Sequence, residues 1–375
     1  MLKLFVTGDN HIGLKYASHE RAAVLAESRI TAFEKMVETA NQENCDLFVI
    51  TGDLFENTYS ISRKDLRLLL DMLSRFRGTV AVLPGNHDYY TPDAKVWQYF
   101  REEMTAFDNI LLLTDYRPYP LTVNGEDVVL YPALCTAQHS APGENNLGWI
   151  KETVIPKDGA CHIGLAHGAV AGETIDREGL YFLMTRDELE AIPVDVWLIG
   201  HTHVPFPRDL TEELVPAGKI FNAGTHVQTD VSCDTEGQCF IVELNADKSV
   251  RAKKVISGDL RFYRRSIALT AGSMAETLTR ELADLGDNSV VDLLLSGAVT
   301  AEEYENRYTI IENALSRFVE GTYDDYALSK LISKELIEEE FPETSFSAGL
   351  LTALLEEPKE AQLAYELLKS LKEGK

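Results

Sequence analysis

Five short segments hold most of the side chains in this chain that can do metal chemistry: Gly8-Asp9-Asn10-His11, Gly52-Asp53, Gly85-Asn86-His87-Asp88, His167-Gly168 and Gly200-His201-Thr202-His203. Each follows a short apolar run that reads as a β-strand. Together they take five of the nine histidines and set them beside Asp and Asn oxygens. Imidazole, carboxylate and amide in one set suit two divalent cations such as Mn, Fe or Zn, whereas structural zinc sites favour thiolates. The chemistry such a set points to is metal-assisted cleavage of a phosphate ester.

Asp9 and His11 are two apart at a strand end, so in extended backbone both can point to one side. Asp53 leaves another strand, and its carboxylate can bridge two cations. Asn86 adds a neutral amide oxygen that limits the negative charge gathered on them. The expected assignment gives Asp9, His11, Asp53 and His203 to one ion, and Asp53, Asn86, His167 and His201 to the other. Two ions about 3.5–4 Å apart can polarise a phosphoryl oxygen and acidify a shared water, and the bridging hydroxide attacks phosphorus in line. His87 is the expected catalytic group, contacting the phosphate and protonating the leaving oxygen. Asp88 is expected to hold the orientation and tautomer of His87. No Ser or Cys nucleophile is required. His19, His139, His162 and His226 lack this context and read as structural, with His226 the nearest to the last motif.

The elements that would carry these motifs alternate. Leu2–Thr7, Leu47–Thr51 and Val80–Leu83 read as strands. Arg21–Asn41 is expected as a helix with Ile30, Phe33, Met36, Val37 and Ala40 on one stripe. A second helix is expected to start at Ser62-x-x-Asp65, with Leu66, Leu69, Leu70 and Leu73 buried. This β-α-β-α-β order argues for parallel strands covered by helices. Beyond Ile110 strands dominate, with a hairpin signal at Asn124-Gly125. His162–Ala166 and Val194–Ile199 each end at a histidine motif, while Phe221, Phe240–Leu244 and Val250–Ile256 read as closing antiparallel strands. The economical architecture is two sheets packed as a sandwich with helices outside. After Gly258 a small α+β unit is expected from strands at Phe262–Leu269 and Ser289–Ser296 and helices at Ser273–Leu285 and Ala301–Phe318. The chain then reads as helical from Tyr323. The expected domains are 1–257, 258–322 and 323–375.

The chain has 375 residues, enough for a large catalytic domain with additions, and a formal net charge of −25. An enzyme relying on broad electrostatic contact with nucleic acid would be basic, so DNA would have to be met by local patches and the ions. The candidate patches are Arg63-Lys64 with Arg67, Arg251 with Lys253-Lys254, and Arg261 with Arg264-Arg265. Five cysteines without a C-x-x-C pair suggest free thiols in a reducing cytoplasm. No apolar run approaches a membrane span, and the first residues enter directly into a strand and motif, which reads as a chain without a signal peptide.

The five segments resemble the calcineurin-like metallophosphoesterase superfamily over residues 1 to about 257. That resemblance implies a four-layer α/β/β/α metallophosphoesterase sandwich, a dinuclear Mn, Fe or Zn site, and His87 as the catalytic histidine. A narrower resemblance is to the SbcD-type DNA double-strand-break repair exonucleases, carried by Asp9-Asn10-His11-Ile12-Gly13-Leu14, Gly52-Asp53-Leu54-Phe55 and Gly85-Asn86-His87-Asp88. It implies a capping domain after Gly258 that presents DNA, and a homodimer formed through Ser62–Arg75 and Ala94–Met104. It also implies C-terminal helices, here Leu350–Leu371, that dock on the coiled coil of an SbcC-type ATPase. Glu56 stands where some members carry a further histidine, and Asn222-Ala223-Gly224-Thr225 is only loosely like the family's Gly-Ser turn. The leading expectation is therefore a manganese-dependent DNA exonuclease. The alternatives are a small-molecule phosphodiesterase or phosphomonoesterase, and a regulatory or scaffolding subunit of a coiled-coil ATPase complex.

Overall fold

The structure, a computed structural model, describes residues 1–373 apart from Ser60, Thr174, Ile175, Arg177 and Asp234. They form two compact units, Met1–Arg261 and Phe262–Lys375.

In the first unit strands and helices alternate at the outset: β1 (Leu2–Thr7), α1 (Ala22–Gln42), β2 (Leu47–Ile50), α2 (Arg63–Ser74), β3 (Thr79–Val82), α3 (Lys95–Met104) and β4 (Ile110–Leu112). There follow β5 (Tyr119–Val123), β6 (Glu126–Ala133), α4 (Gly148–Glu152), β7 (Cys161–His167), α5 (Arg186–Ala191) and β8 (Val196–Gly200). The unit closes with β9 (Val215–Pro216), β10 (Ile220–Asn222), β11 (Gln238–Leu244) and β12 (Val250–Ile256).

These strands make two sheets, one in the order β4-β3-β2-β1-β11-β12-β9 and one in the order β10-β8-β7-β6-β5. β1 to β4 are parallel, and Thr7, Ile50 and Val82 are in register, so the loops after these strands leave from one edge. The second sheet repeats the device, with His167 at the end of β7 beside Gly200 at the end of β8.

Period-two alternation sorts the strand side chains between layers. Leu4, Val6, Leu47, Val49 and Ala81 meet Leu130, Ile163, Leu165, Val196 and Leu198 of the other sheet in one buried cluster. Phe5, Phe48, Ile50, Val80 and Val82 face the opposite way, into a cluster with Phe33, Leu66, Leu69, Trp97 and Phe100 from α1 to α3. Tyr131, Ala166, Trp197 and Ile199 pack instead with Ile150 of α4 and Leu189 of α5. The result is four layers, helices outside two sheets.

Local signals explain several boundaries. Ser62 caps α2, its hydroxyl accepting the Asp65 N–H, and Leu66, Leu69, Leu70 and Leu73 are buried as the spacing predicts. Asn124 and Gly125 both have positive φ, the primed turn that joins β5 to β6. Two expectations are corrected. Ile30 faces solvent, and the buried stripe of α1 runs through Leu25, Arg29, Phe33, Met36 and Ala40. Phe221 lies in β10, which pairs parallel to β8 and so extends that sheet.

The second unit contains β13 (Arg261–Thr270), α6 (Met274–Glu281), β14 (Ser289–Val299), α7 (Ala301–Glu305), α8 (Arg307–Leu315) and β15 (Glu320–Lys330). Its sheet runs β13-β14-β15 over a core of Leu269, Leu278, Leu293, Ile311 and Leu328. The expected helix over 301–318 is broken at Asn306. The helical reading from Tyr323, and with it a boundary at 322, gives way to β15, which pairs parallel to β14 as far as Lys330. Its central residues, including Asp324 and Asp325, are mostly exposed and poor strand formers, so the strand is held by its neighbour's register rather than by its own propensity. Three helices end the chain: α9 (Lys334–Glu340), α10 (Phe346–Leu354) and α11 (Pro358–Glu373). They share a separate small core around Leu336, Ile337, Leu351 and Tyr365.

Candidate metal centre

The five motifs occupy the loops at the carboxyl ends of β1, β2, β3, β7 and β8, the edge where open α/β sheets bind ligands. Backbone hydrogen bonds zip the first two loops together, Asp9 N–H to Gly52 O and His11 N–H to Asp53 O, at 3.1 and 2.9 Å. The zipped geometry forces Asp9 (φ 49°), His11 (φ 43°) and Asp53 (φ 50°) into the left-handed region, and His201 has φ 106°. Left-handed backbone is costly for such residues and concentrates where function demands it.

Among the described residues the potential ligands gather in three overlapping groups, Asp9-His11-His203, Asp53-His167-His201 and His11-Asp53-His87, the first two matching the sequence-based assignment. In the first, His11 Nε2 faces His203 Nε2 at 3.1 Å and lies 3.8 Å from Asp53 Oδ2. In the second, His167 Nε2 is 3.2 Å from Asp53 Oδ2, and both His167 Nε2 and His201 Nδ1 stand 2.9 Å from Asn86 Oδ1. Asp53 therefore reaches both clusters. The backbone N–H of His201 donates to both carboxylate oxygens of Asp9 at 3.1 Å, tying the two sheets together.

Electrostatics keep these donors in usable states. Burial pushes Asp9 up to about 6, still ionised at neutral pH. Burial would also raise Asp53, but the neighbouring His167 outweighs it and holds the carboxyl well below the usual range. Burial by itself lowers His167, yet the charge of Asp53 reverses this and raises the imidazole to about 9. Burial, reinforced by His167, lowers His201 to about 3, and burial, reinforced by the neighbouring His11 and Arg29, lowers His203 to about 4, so both rings are neutral. Imidazoles, of which His201 and His203 are neutral and His167 must give up a proton to an ion, carboxylates and one amide oxygen converge here, a donor set that fits two divalent cations of the Mn, Fe or Zn type.

His87 stands beside the first cluster. Its ring is edge-on to His11 with centroids 4.7 Å apart, and a nitrogen of it lies within 4.8 Å of potential ligand atoms of His11 and Asp53. Its backbone N–H donates to Asp53 Oδ1 at 2.8 Å. The expectation that Asp88 orients His87 is corrected: the Asp88 carboxylate is fully buried and accepts the backbone N–H groups of Phe55 and Gly85 at 3.0 and 2.7 Å. Asp88 fastens the loop, and His87 Nδ1 instead sits 3.1 Å from the backbone oxygen of Glu56.

Three further residues join the site. The Glu56 carboxylate is 3.1 Å from His11 Nδ1. Arg29, buried in α1, donates from Nε to the backbone oxygen of Asn10 at 2.9 Å and from Nη1 to Tyr16, bracing the Asp9–His11 loop from behind. Its spacing from Leu25 and Phe33 is the signal that could have placed it on the buried stripe. The Tyr181 ring stacks on His201 with centroids 5.0 Å apart, which nothing in the motifs announces. His226 is fully buried with Nε2 3.1 Å from Arg29 O, and burial drives its imidazole to the neutral form. His162 and His139 lie outside the centre, His162 against Tyr131 and Asp158, His139 against Tyr181.

The basic patches fare differently from the motifs. Arg63 pairs with Glu102 and Glu103, Arg67 with Glu103, Lys253 with Glu43, Arg264 with Asp292 and Arg265 with Asp284. Among the described residues no helix is long and apolar enough to cross a membrane.

The chain is 24% identical over 345 residues to the uncharacterized metallophosphoesterase YhaO of Bacillus subtilis, covering 88% of this chain and 76% of the relative. Among solved structures it is similar to the protein TT1561 of Thermus thermophilus (13% identity, TM-score 0.39, 67% of this chain and 97% of that one). It is also similar to a dimetal phosphatase from Danio rerio (11% identity, TM-score 0.37, 68% and 98%). The family model for calcineurin-like phosphoesterases matches residues 2–205, which include every motif above. The chain belongs to the calcineurin-like phosphoesterase family and is a metallophosphoesterase.

Proposed function

We propose that this metallophosphoesterase is a phosphodiesterase of DNA ends, an exonuclease of DNA repair, working in the cytoplasm with manganese. The observation that supports this reading is a cavity of about 760 Å³ that begins at His203 and is lined by Arg208 and Lys254 together with Asp230 and Glu236. A diester strand carries a phosphate at each nucleotide, and Arg208 and Lys254 offer cations for phosphates other than the reacting one. Arg208 and Lys254, unlike Arg63, Lys253 or Arg264, form no ion pair among the described residues.

Two bound dications would supply Lewis acidity and an activated water. The chain's own residues do the rest. Asp53 holds the two clusters in one frame. His87, its Nδ1 turned to the Glu56 carbonyl, presents Nε2 as the proton source for the leaving oxygen. Tyr181 covers His201 on one side.

The test is degradation of linear single- and double-stranded DNA with manganese, beside hydrolysis of a small chromogenic diester. Arg208→Ala with Lys254→Ala should raise KM for DNA about tenfold and leave KM for the small diester unchanged. Turnover of the small diester with none on DNA would reject the reading in favour of a small-molecule phosphoesterase. That second reading draws support from the net charge of −25 and from the ion-paired state of the other basic patches.

Partner proposals complete the reading. α2 and α3 are offered as the surface of a homodimer. The exposed Leu363, Leu367 and Leu371 of α11 form a stripe at helical spacing for an SbcC-type coiled-coil ATPase. Light scattering and copurification with and without α11 test the two in turn. A scaffolding role without catalysis would require negligible turnover on every ester.

A further inference from the structure

We propose that Glu56 is a positioning residue that sets the tautomers of two histidines at once, His11 through its side chain and His87 through its backbone. The Glu56 carboxylate lies 3.1 Å from His11 Nδ1, while the far nitrogen of that ring, Nε2, faces His203 Nε2 at 3.1 Å. His11 Nδ1 has no aligned hydrogen-bond partner among the described residues, but a carboxylate oxygen 3.1 Å away favours the proton on Nδ1 and so leaves the lone pair on Nε2, the atom turned into the Asp9-His11-His203 cluster. The backbone oxygen of the same residue is 3.1 Å from His87 Nδ1, which confines the His87 lone pair, or its acidic proton, to Nε2 as well.

Glu56 can do both because its own backbone is pinned. Its N–H donates to Ile12 O at 3.1 Å, and Ile12 and Phe55 form a parallel bridge between the two loops. The side chain is only partly exposed, and its interaction with His11 overcomes burial to keep the carboxylate below the usual range, hence charged. A carboxylate behind a ligand histidine fixes its ring and raises its basicity, and removing such a partner costs about 10–100-fold in metal affinity. The effect falls on one position only, because His167, the corresponding ring of the other cluster, is held by the Thr51 backbone oxygen at 2.9 Å and not by a side chain.

This inference rests on the dinuclear metal reading but not on any substrate, so it is tested without one. Manganese is titrated calorimetrically into metal-stripped full-length protein for the wild type, Glu56→Gln and Glu56→Ala. Two binding classes are expected in the wild type. Glu56→Ala should weaken one class by about 10–100-fold and leave the other in place, and Glu56→Gln, whose amide oxygen keeps a partial negative charge beside Nδ1, should restore part of the loss. Nitrogen-15 spectra of the metal-free proteins should show His11 passing from a single tautomer to a mixture in Glu56→Ala, with His87 unchanged because the carbonyl remains. Equal weakening of both classes, no weakening of either, or a glutamine variant no better than alanine would each overturn the assignment. Failure to cut DNA would bear on the proposed substrate alone.

Discussion

His167 Nδ1 lies 2.9 Å from the backbone oxygen of Thr51, a contact that runs from the end of β7 in one sheet to the loop after β2 in the other. The ring must donate Nδ1–H there, which leaves Nε2 for Asp53, Asn86 and an ion. The next residue, Gly52, has φ 107°, and a Cβ built on it would overlap His167 Nδ1. Gly52→Ala therefore combines backbone strain of about 1–3 kcal/mol with displacement of a ligand ring. The expected outcome is a melting temperature lower by several degrees and loss of one of two bound ions, read by calorimetry and elemental analysis. A variant that keeps both ions at wild-type affinity would contradict the close approach.

Metal uptake should release protons and weaken as the medium is acidified. In the metal-free protein the charge of Asp53 raises His167 to about 9 against burial, so at neutral pH an entering ion must displace a proton from it. Burial raises Asp9 to about 6, so a second proton competes once the pH falls through that value. Both shifts act in one direction: affinity falls as pH falls, gently above about 6 and more steeply below. Manganese titrations from about pH 8 to about pH 5, in two buffers of different ionisation enthalpy, should report about one proton released per loaded chain near neutrality. Affinity independent of pH would exclude these protonation states.

His87→Ala should lower kcat by about 10²–10⁴-fold while both ions remain bound. The loss should be smaller for a diester with an activated phenolate leaving group, because such a group departs without a proton. Equal losses on poor and activated leaving groups would show that His87 does not serve as the acid.

Asp88 should behave as a structural fastener. Asp88→Ala strands the Phe55 and Gly85 N–H groups in a buried setting, each costing about 1–3 kcal/mol. The expected result is a marked fall in denaturation midpoint, with the pH profile of kcat in the surviving folded protein unmoved. A shifted profile without destabilisation would restore Asp88 as the partner of His87.

The parts of this molecule that could be read in advance were those written in local chemistry. Asp9, His11, Asp53, Asn86, His167, His201 and His203 each follow an apolar strand, and a strand end is an address the alternating layers respect. α2 was legible down to its Ser62 cap. What escaped depends on contacts distant in sequence. Arg29 is a charged residue on a buried stripe, and only the Asn10 carbonyl and Tyr16 hydroxyl explain it. Asp88 sits next to His87 in sequence, yet the turn that carries it spends both its oxygens on other backbone groups. β15 carries Asp324-Asp325 at its centre and does not announce itself, and it is held by the ladder that β14 offers.

The split of the centre between two sheets also bears on how the chain comes to hold metal. Asp9, His11, Asp53 and Asn86 lie at the edge of the sheet built from β1 to β3, whereas His167, His201 and His203 arrive with β7 and β8. During synthesis the half with Asp9, His11, Asp53 and Asn86 emerges first, and it stands without His167 until about eighty further residues have followed Asn86, and without His201 and His203 until about 115 have. Ion capture is thus a late event in the life of the nascent chain, and it adds a further link between two layers already joined by hydrophobic burial and by the Asp9–His201 and Thr51–His167 hydrogen bonds.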